Sequence, residues 1–76
     1  DSLILDPPRL GCHPDVINSI LIKKPHKLAY VSCDPESLAR DLNLLMAGGY
    51  QIMNIQPIDM FPQTFHVETI TILEIK

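Results

Sequence analysis

The sequence predicts an α/β domain on a mostly parallel sheet with one reversed strand. Three observations carry this reading. Short aliphatic and β-branched runs alternate with segments whose apolar residues recur at helical spacing. A proline heads each helical segment, where the missing amide hydrogen is one the helix leaves unpaired in any case. The last two strand-like runs have no helix between them, so they should pair antiparallel, whereas the two earlier helical crossovers imply parallel neighbours.

The elements follow in order. "SLIL", Ser2 to Leu5, is continuously apolar and reads as a fully buried strand that runs into Asp6. "PPRLGC" breaks the chain with two prolines and a glycine. Val16, Ile17, Ile20 and Leu21 then recur at helical spacing, giving a helix from Pro14 to about Ile22 that Pro25 ends. "KLAYVS", Lys27 to Ser32, is a second buried strand. Asp34 suits a helix N-cap and Pro35 the first helical position. Leu38, Leu42, Leu45 and Met46 make one apolar face, and Gly48 and Gly49 stop that helix. "YQIMNIQPID" is a third strand near a sheet edge, because Pro57 cannot donate to a ladder. "MFPQTFH" reads as a loop and "VETITILEIK" as a last, β-branched strand.

Composition narrows the function classes. The chain has 76 residues, enough for one small domain with a thin core. With 46% apolar residues it is not disordered by composition. No apolar run approaches the roughly 18 residues that cross a bilayer. The opening "DSLILDPPRL" has no secretory signature and reads as cut from something longer, so a cytoplasmic setting is expected. A net charge of -3 gives no bulk electrostatic support for nucleic-acid binding. The cluster Lys23, Lys24 and Lys27 suits a solvated helix end. Cys12 and Cys33 are expected as reduced thiols, and no cysteine or histidine spacing suggests a metal site.

Topology brings the remaining chemistry to one rim. Ligands of open parallel sheets sit at the carboxyl ends of the strands. The first strand ends at Asp6 and the second at Cys33, and the reversed last strand begins on the same rim with Glu68. Each residue has a plain alternative. Cys33 is either a small buried hydrophobe or a nucleophile beside a helix amino end, where negative charge is favoured and Asp34 partly opposes it. Asp6 either caps the following turn or faces a ligand. Glu68 is either a solvated strand end or a site acid, and Arg9 could pair with either acid. His66 is either a site residue or a loop packing residue. Cys12 and His13 have no evident partner.

Three stretches, "DPPRLG", "YVSCDPESLARDL" and "DMFPQTFHVE", add a further reading. In this order and at these separations the chain resembles the RNA uridine-5-methyltransferases, S-adenosylmethionine-dependent enzymes that make 5-methyluridine. The resemblance covers nearly the whole chain. "SLARDL" and "DMFPQT" look closer to the ribosomal-RNA branch than to the transfer-RNA branch. By similarity Cys33 is the nucleophile, Glu68 the base that accepts the carbon 5 proton, and Asp6 a cofactor-binding residue at the methyl-donor site. Arg9 and His66 are then candidates for substrate binding.

The resemblance also implies a fold. The family's Rossmann-like sheet has strand order 3-2-1-4-5-7-6, and this chain matches strands 4 to 7. Residues 1–76 would thus be the C-terminal part of the catalytic domain. The glycine-rich cofactor half, the amino-terminal RNA-binding elements and the iron–sulfur elements of some members have no counterpart in these residues. The isolated chain is then expected to be inactive and to self-associate through its first strand. Two other readings stay open: an amino-methyltransferase that uses "DPPR" as its target loop, which leaves Cys33 and Glu68 without a role, and a non-catalytic α/β module, in which Cys33 is buried and inert.

Overall fold

The computed structural model describes residues 2–58 and 68–76. The strands are β1 (Ser2–Leu5), β2 (Lys27–Ser32), β3 (Tyr50–Ile58) and β4 (Glu68–Ile75), and the helices are α1 (Pro14–Lys23) and α2 (Pro35–Ala47). They form one four-stranded sheet in the order β1-β2-β4-β3. This is the order expected for strands 4, 5, 7 and 6 of the larger sheet.

The expectation of a mostly parallel sheet is corrected. Only β1 and β2 pair in parallel; β2 with β4, and β4 with β3, pair antiparallel. The crossover through α2 does return β3 in the direction of β2, but β4 inserts between the two and makes both contacts antiparallel. The sheet is therefore mixed. Pro57 lies on an edge strand, paired with Thr69, as its missing donor requires.

His13 begins α1, its Nδ1 accepting from the Asp15 amide at 3.1 Å. The helix runs one residue beyond the expected end. Lys24 then turns left-handed (φ 47°) and donates its amide to the Ile20 carbonyl at 2.7 Å, before Pro25 forbids continuation. Asp34 caps α2, and Gly48 closes it by donating to the Leu44 and Leu45 carbonyls at 3.1 Å.

The core lies between one face of the sheet and the two helices, which touch each other and so share that face. Leu28 and Tyr30 of β2 and Leu73 of β4 are fully buried there, beside Ile17 and Ile20 of α1 and Leu42 and Leu45 of α2. Met46, expected on the apolar face, is 37% exposed. On the opposite face Ala29, Val31, Ile70 and Ile72 are half-buried. β1 is not the fully buried strand its apolar run suggested: Ile4 is 74% exposed. The physical reason is position, since β1 is an edge of the described sheet and Ile4 points to the face without helices. Among the described residues no helix is long and apolar enough to cross a membrane.

Candidate active site at the carboxyl rim

Cys33 occupies a junction fixed on both sides. The Ser32 hydroxyl accepts from the Asp34 amide at 3.1 Å and lies 3.1 Å from the Asp34 carbonyl, to which it can donate, so one side chain closes the backbone around the cysteine. On the other side Asp34 Oδ2 takes the Ser37 hydroxyl at 2.6 Å and the Ser37 amide at 3.3 Å. These hydrogen bonds, the hydroxyl first, hold the Asp34 carboxyl below its ordinary pKa, and the Arg9 guanidinium adds to the effect. Cys33 itself is exposed, whereas Cys12 is buried. The burial of Cys33 required by the non-catalytic module is thus not found.

Glu68 reaches the same place from the other direction. The β2–β4 ladder pairs Val31 with Ile70 and Ser32 with Thr69. One further step along that register sets Cys33 against Glu68, the half-buried first residue of β4, which pairs on its other side with Ile58. The parallel β1–β2 register ends at Leu5 opposite Tyr30. Asp6 therefore leaves the sheet on this rim too, and it is exposed. Arg9 is exposed, and its charge acts on Asp34. His66 lies outside the described residues. No cluster able to hold a metal ion occurs among the described residues.

The loop from Asp6 to His13 is gripped by one side of α2. Ser37 Oγ donates to the Arg9 carbonyl at 2.8 Å, Arg40 Nη2 donates to the Leu10 carbonyl, and Asp41 Oδ2 accepts the Cys12 amide at 2.8 Å. Residues 37, 40 and 41 share a helix face by their spacing. Gly11 fits beneath them with φ +90°, and a Cβ there would lie 2.5 Å from Arg40 Nη2 and 2.9 Å from Asp41 Oδ2. The same Asp41 oxygen takes the Tyr30 hydroxyl at 2.5 Å. Burial first, then this bond to Asp41, pushes the Tyr30 phenol far above its ordinary value. Burial and the Asp41 charge push the Cys12 thiol up as well. So Cys12 and His13, which showed no evident partner in sequence, are a buried anchor and a helix cap.

A cavity of about 710 Å³ opens beside this loop, with Asp6, Cys12, Arg40 and Asp41 in its wall. Cys33 and Glu68 do not line it. The rim thus holds two features, an exposed thiol and a carboxylate each one step past the last β2–β4 pair, and a concavity on the Asp6 side. Asp41 escaped the sequence reading. Its signal was there: a carboxylate one helical turn from both Ser37 and Leu45, within the stripe that packs on the sheet.

Comparison with known proteins gives a family match over the whole chain. A family model described as tRNA (uracil-5-)-methyltransferase matches residues 1–76. An uncharacterised RNA methyltransferase of Listeria innocua is 50% identical over 100% of this chain and 17% of its own length. One of Thermotoga maritima is 54% identical over 91% of this chain and 16% of its own length. The crystal structure of the Pyrococcus abyssi tRNA (uracil-54, C5)-methyltransferase, in complex with S-adenosyl-L-homocysteine, superposes with a TM-score of 0.86 at 45% identity, covering 96% of this chain and 18% of that one. The chain therefore spans about a sixth of the length of the proteins it matches.

Proposed function

Since the chain belongs to the tRNA (uracil-5-)-methyltransferase family, we propose that residues 1–76 are the part of an RNA methyltransferase that carries its nucleophile, and that the whole enzyme methylates carbon 5 of a uridine in RNA. The single observation that carries the reading is the exposed Cys33, pinned at the strand–helix junction, with Glu68 one register step away on the adjacent strand.

Carbon 5 of uracil is a weak nucleophile. Cys33, as thiolate, adds through Sγ to carbon 6, and the electron pair of the 5,6 double bond moves onto carbon 5 and the carbonyl oxygen as an enolate. Carbon 5 takes up the methyl group and still bears its proton. Glu68 removes that proton, the double bond re-forms, and the electron pair of the carbon–sulfur bond returns to Cys33. A target inside a folded RNA reaches an exposed rim by leaving its stack.

S-adenosylmethionine would supply the methyl group. Asp6 suits such a donor: it is an exposed carboxylate in the wall of a cavity, and the donor carries a cationic sulfonium and an ammonium group. Arg9 and His66 are proposed to meet the RNA.

The RNA class is proposed as ribosomal on the strength of "SLARDL" and "DMFPQT"; against that stands the solved relative, which is a transfer-RNA enzyme. Assaying the complete enzyme on ribosomal and transfer-RNA transcripts decides between them. The chemistry is tested by Cys33→Ala in the complete enzyme, which should end methyl transfer to uridine and leave the fold intact. Full activity in that variant, or methyl groups on amines instead of carbon 5, contradicts the reading.

A further inference from the structure

We propose that Asp41 is a positioning residue, which locks the loop bearing Asp6 and Arg9 to the helix that begins beside Cys33 and so holds the methyl-donor side of the rim at a fixed place relative to the thiol. The proposal rests on the reading above and adds to it a residue that acts through the loop it holds.

Asp41 is fully buried, yet among the described residues only one of its two oxygens is hydrogen-bonded. Oδ2 accepts from the Cys12 amide in the loop and from the Tyr30 hydroxyl in β2, so one atom joins three elements that are distant in sequence. Among the described residues Oδ1 has no hydrogen-bond partner, and Arg40 Nε lies 3.6 Å from it. A buried carboxylate oxygen left in that state opposes folding, a cost set against the two buried donors that Oδ2 satisfies. As the shared acceptor of both donors, the carboxyl group fixes the loop and β2 against α2.

Two further contacts make the loop and helix one body. Ser37 and Arg40 hold the Arg9 and Leu10 carbonyls, so the three α2 side chains grip the loop at residues 9, 10 and 12. Gly11 is packed under the same groups too closely to accept a Cβ. Pro7 and Pro8 then stiffen the short path from this grip back to Asp6. Lifting the loop at residues 9–12 off α2 therefore requires breaking the Asp41 anchor, while the β1–β2 ladder holds the other end of the loop at Leu5.

The test uses the complete methyltransferase with S-adenosylhomocysteine as calorimetric probe. Asp41→Ala should raise the Kd for S-adenosylhomocysteine and the KM for S-adenosylmethionine by roughly tenfold, while the KM for RNA and the alkylation rate of Cys33 stay within about twofold. Asp41→Asn keeps a carbonyl oxygen for the Cys12 amide and should bring the Kd back to within about threefold of wild type. General destabilisation would instead lower the active fraction, and with it kcat, at unchanged KM and Kd. That outcome, or an unchanged Kd in Asp41→Ala, overturns the proposal.

If Asp41→Ala does not fold, Arg40→Met reads the same grip from the solvent side: a donor Kd raised by roughly threefold supports it and an unchanged Kd overturns it. A wild-type enzyme that binds S-adenosylhomocysteine through this anchor but never methylates uridine would sink the uridine reading and leave the role of Asp41 standing.

Discussion

Ser32 and Thr69 form the last laddered pair between β2 and β4. The next step of that register belongs to Cys33 and Glu68, with α2 and β3 lying between them in sequence. Directly opposed residues of antiparallel strands are near neighbours, so the insertion of β4 beside β2 leaves the thiol and the carboxylate each one step past the same laddered pair. The insertion that breaks the parallel pairing of the sheet is also what brings the start of β4 to the rim where β2 ends.

Glu68→Gln should separate the two halves of the reaction. Addition of Cys33 and uptake of the methyl group need no base at carbon 5, whereas release does. The variant should accumulate a denaturation-resistant protein–RNA complex, and product release should slow by roughly 100-fold or more. Gel electrophoresis under denaturing conditions checks this. Normal turnover, or no complex while Cys33 still reacts with alkylating agents, removes Glu68 from the role.

Gly11→Ala should destabilise the enzyme by roughly 1–3 kcal/mol, because the left-handed backbone strains any side chain and the new Cβ meets Arg40 and Asp41. Urea titration measures the loss. Wild-type stability in this variant would mean that the loop does not rest on α2 as described.

Much of this was legible in sequence, for reasons visible in particular residues. Asp34 and Pro35 announce the start of α2 because few residue types suit those two positions, and the structure shows that cap in place. Pro57 announced an edge strand through its missing donor. The exposure of β1 was not legible, because a run such as Leu3-Ile4-Leu5 reports suitability for burial, while actual burial depends on what packs against it. In this structure Ile4 faces the side of the sheet that α1 and α2 leave open. Asp41 was hidden for the opposite reason. Helical spacing marks it as inward-facing, but only the fold reveals that the Cys12 amide and the Tyr30 hydroxyl wait there for an acceptor.

Stability should fall at alkaline pH through the two tyrosines. Tyr30 and Tyr50 are both fully buried, and burial raises both phenols above their ordinary value. A raised pKa in the folded state means that the contribution is complete below the unfolded value of about 10 and is lost as pH climbs from there toward the folded value. In the 76-residue chain, phenolate absorbance should therefore rise in one cooperative step together with the loss of far-ultraviolet circular dichroism. Smooth titration near pH ~10 with the dichroism intact would show the phenols to be in solvent.

The most direct test of the central claim, that Cys33 forms a covalent bond to carbon 6 of the target uridine, is mass spectrometry of the complete enzyme after reaction with S-adenosylmethionine and RNA containing 5-fluorouridine. Fluorine on carbon 5 leaves no proton for Glu68 to remove, so the methylated adduct cannot eliminate. The account predicts a peptide containing Cys33 joined to methylated 5-fluorouridine, absent in Cys33→Ala. An adduct on Cys12, or methyl transfer to uridine that persists in Cys33→Ala, would contradict it.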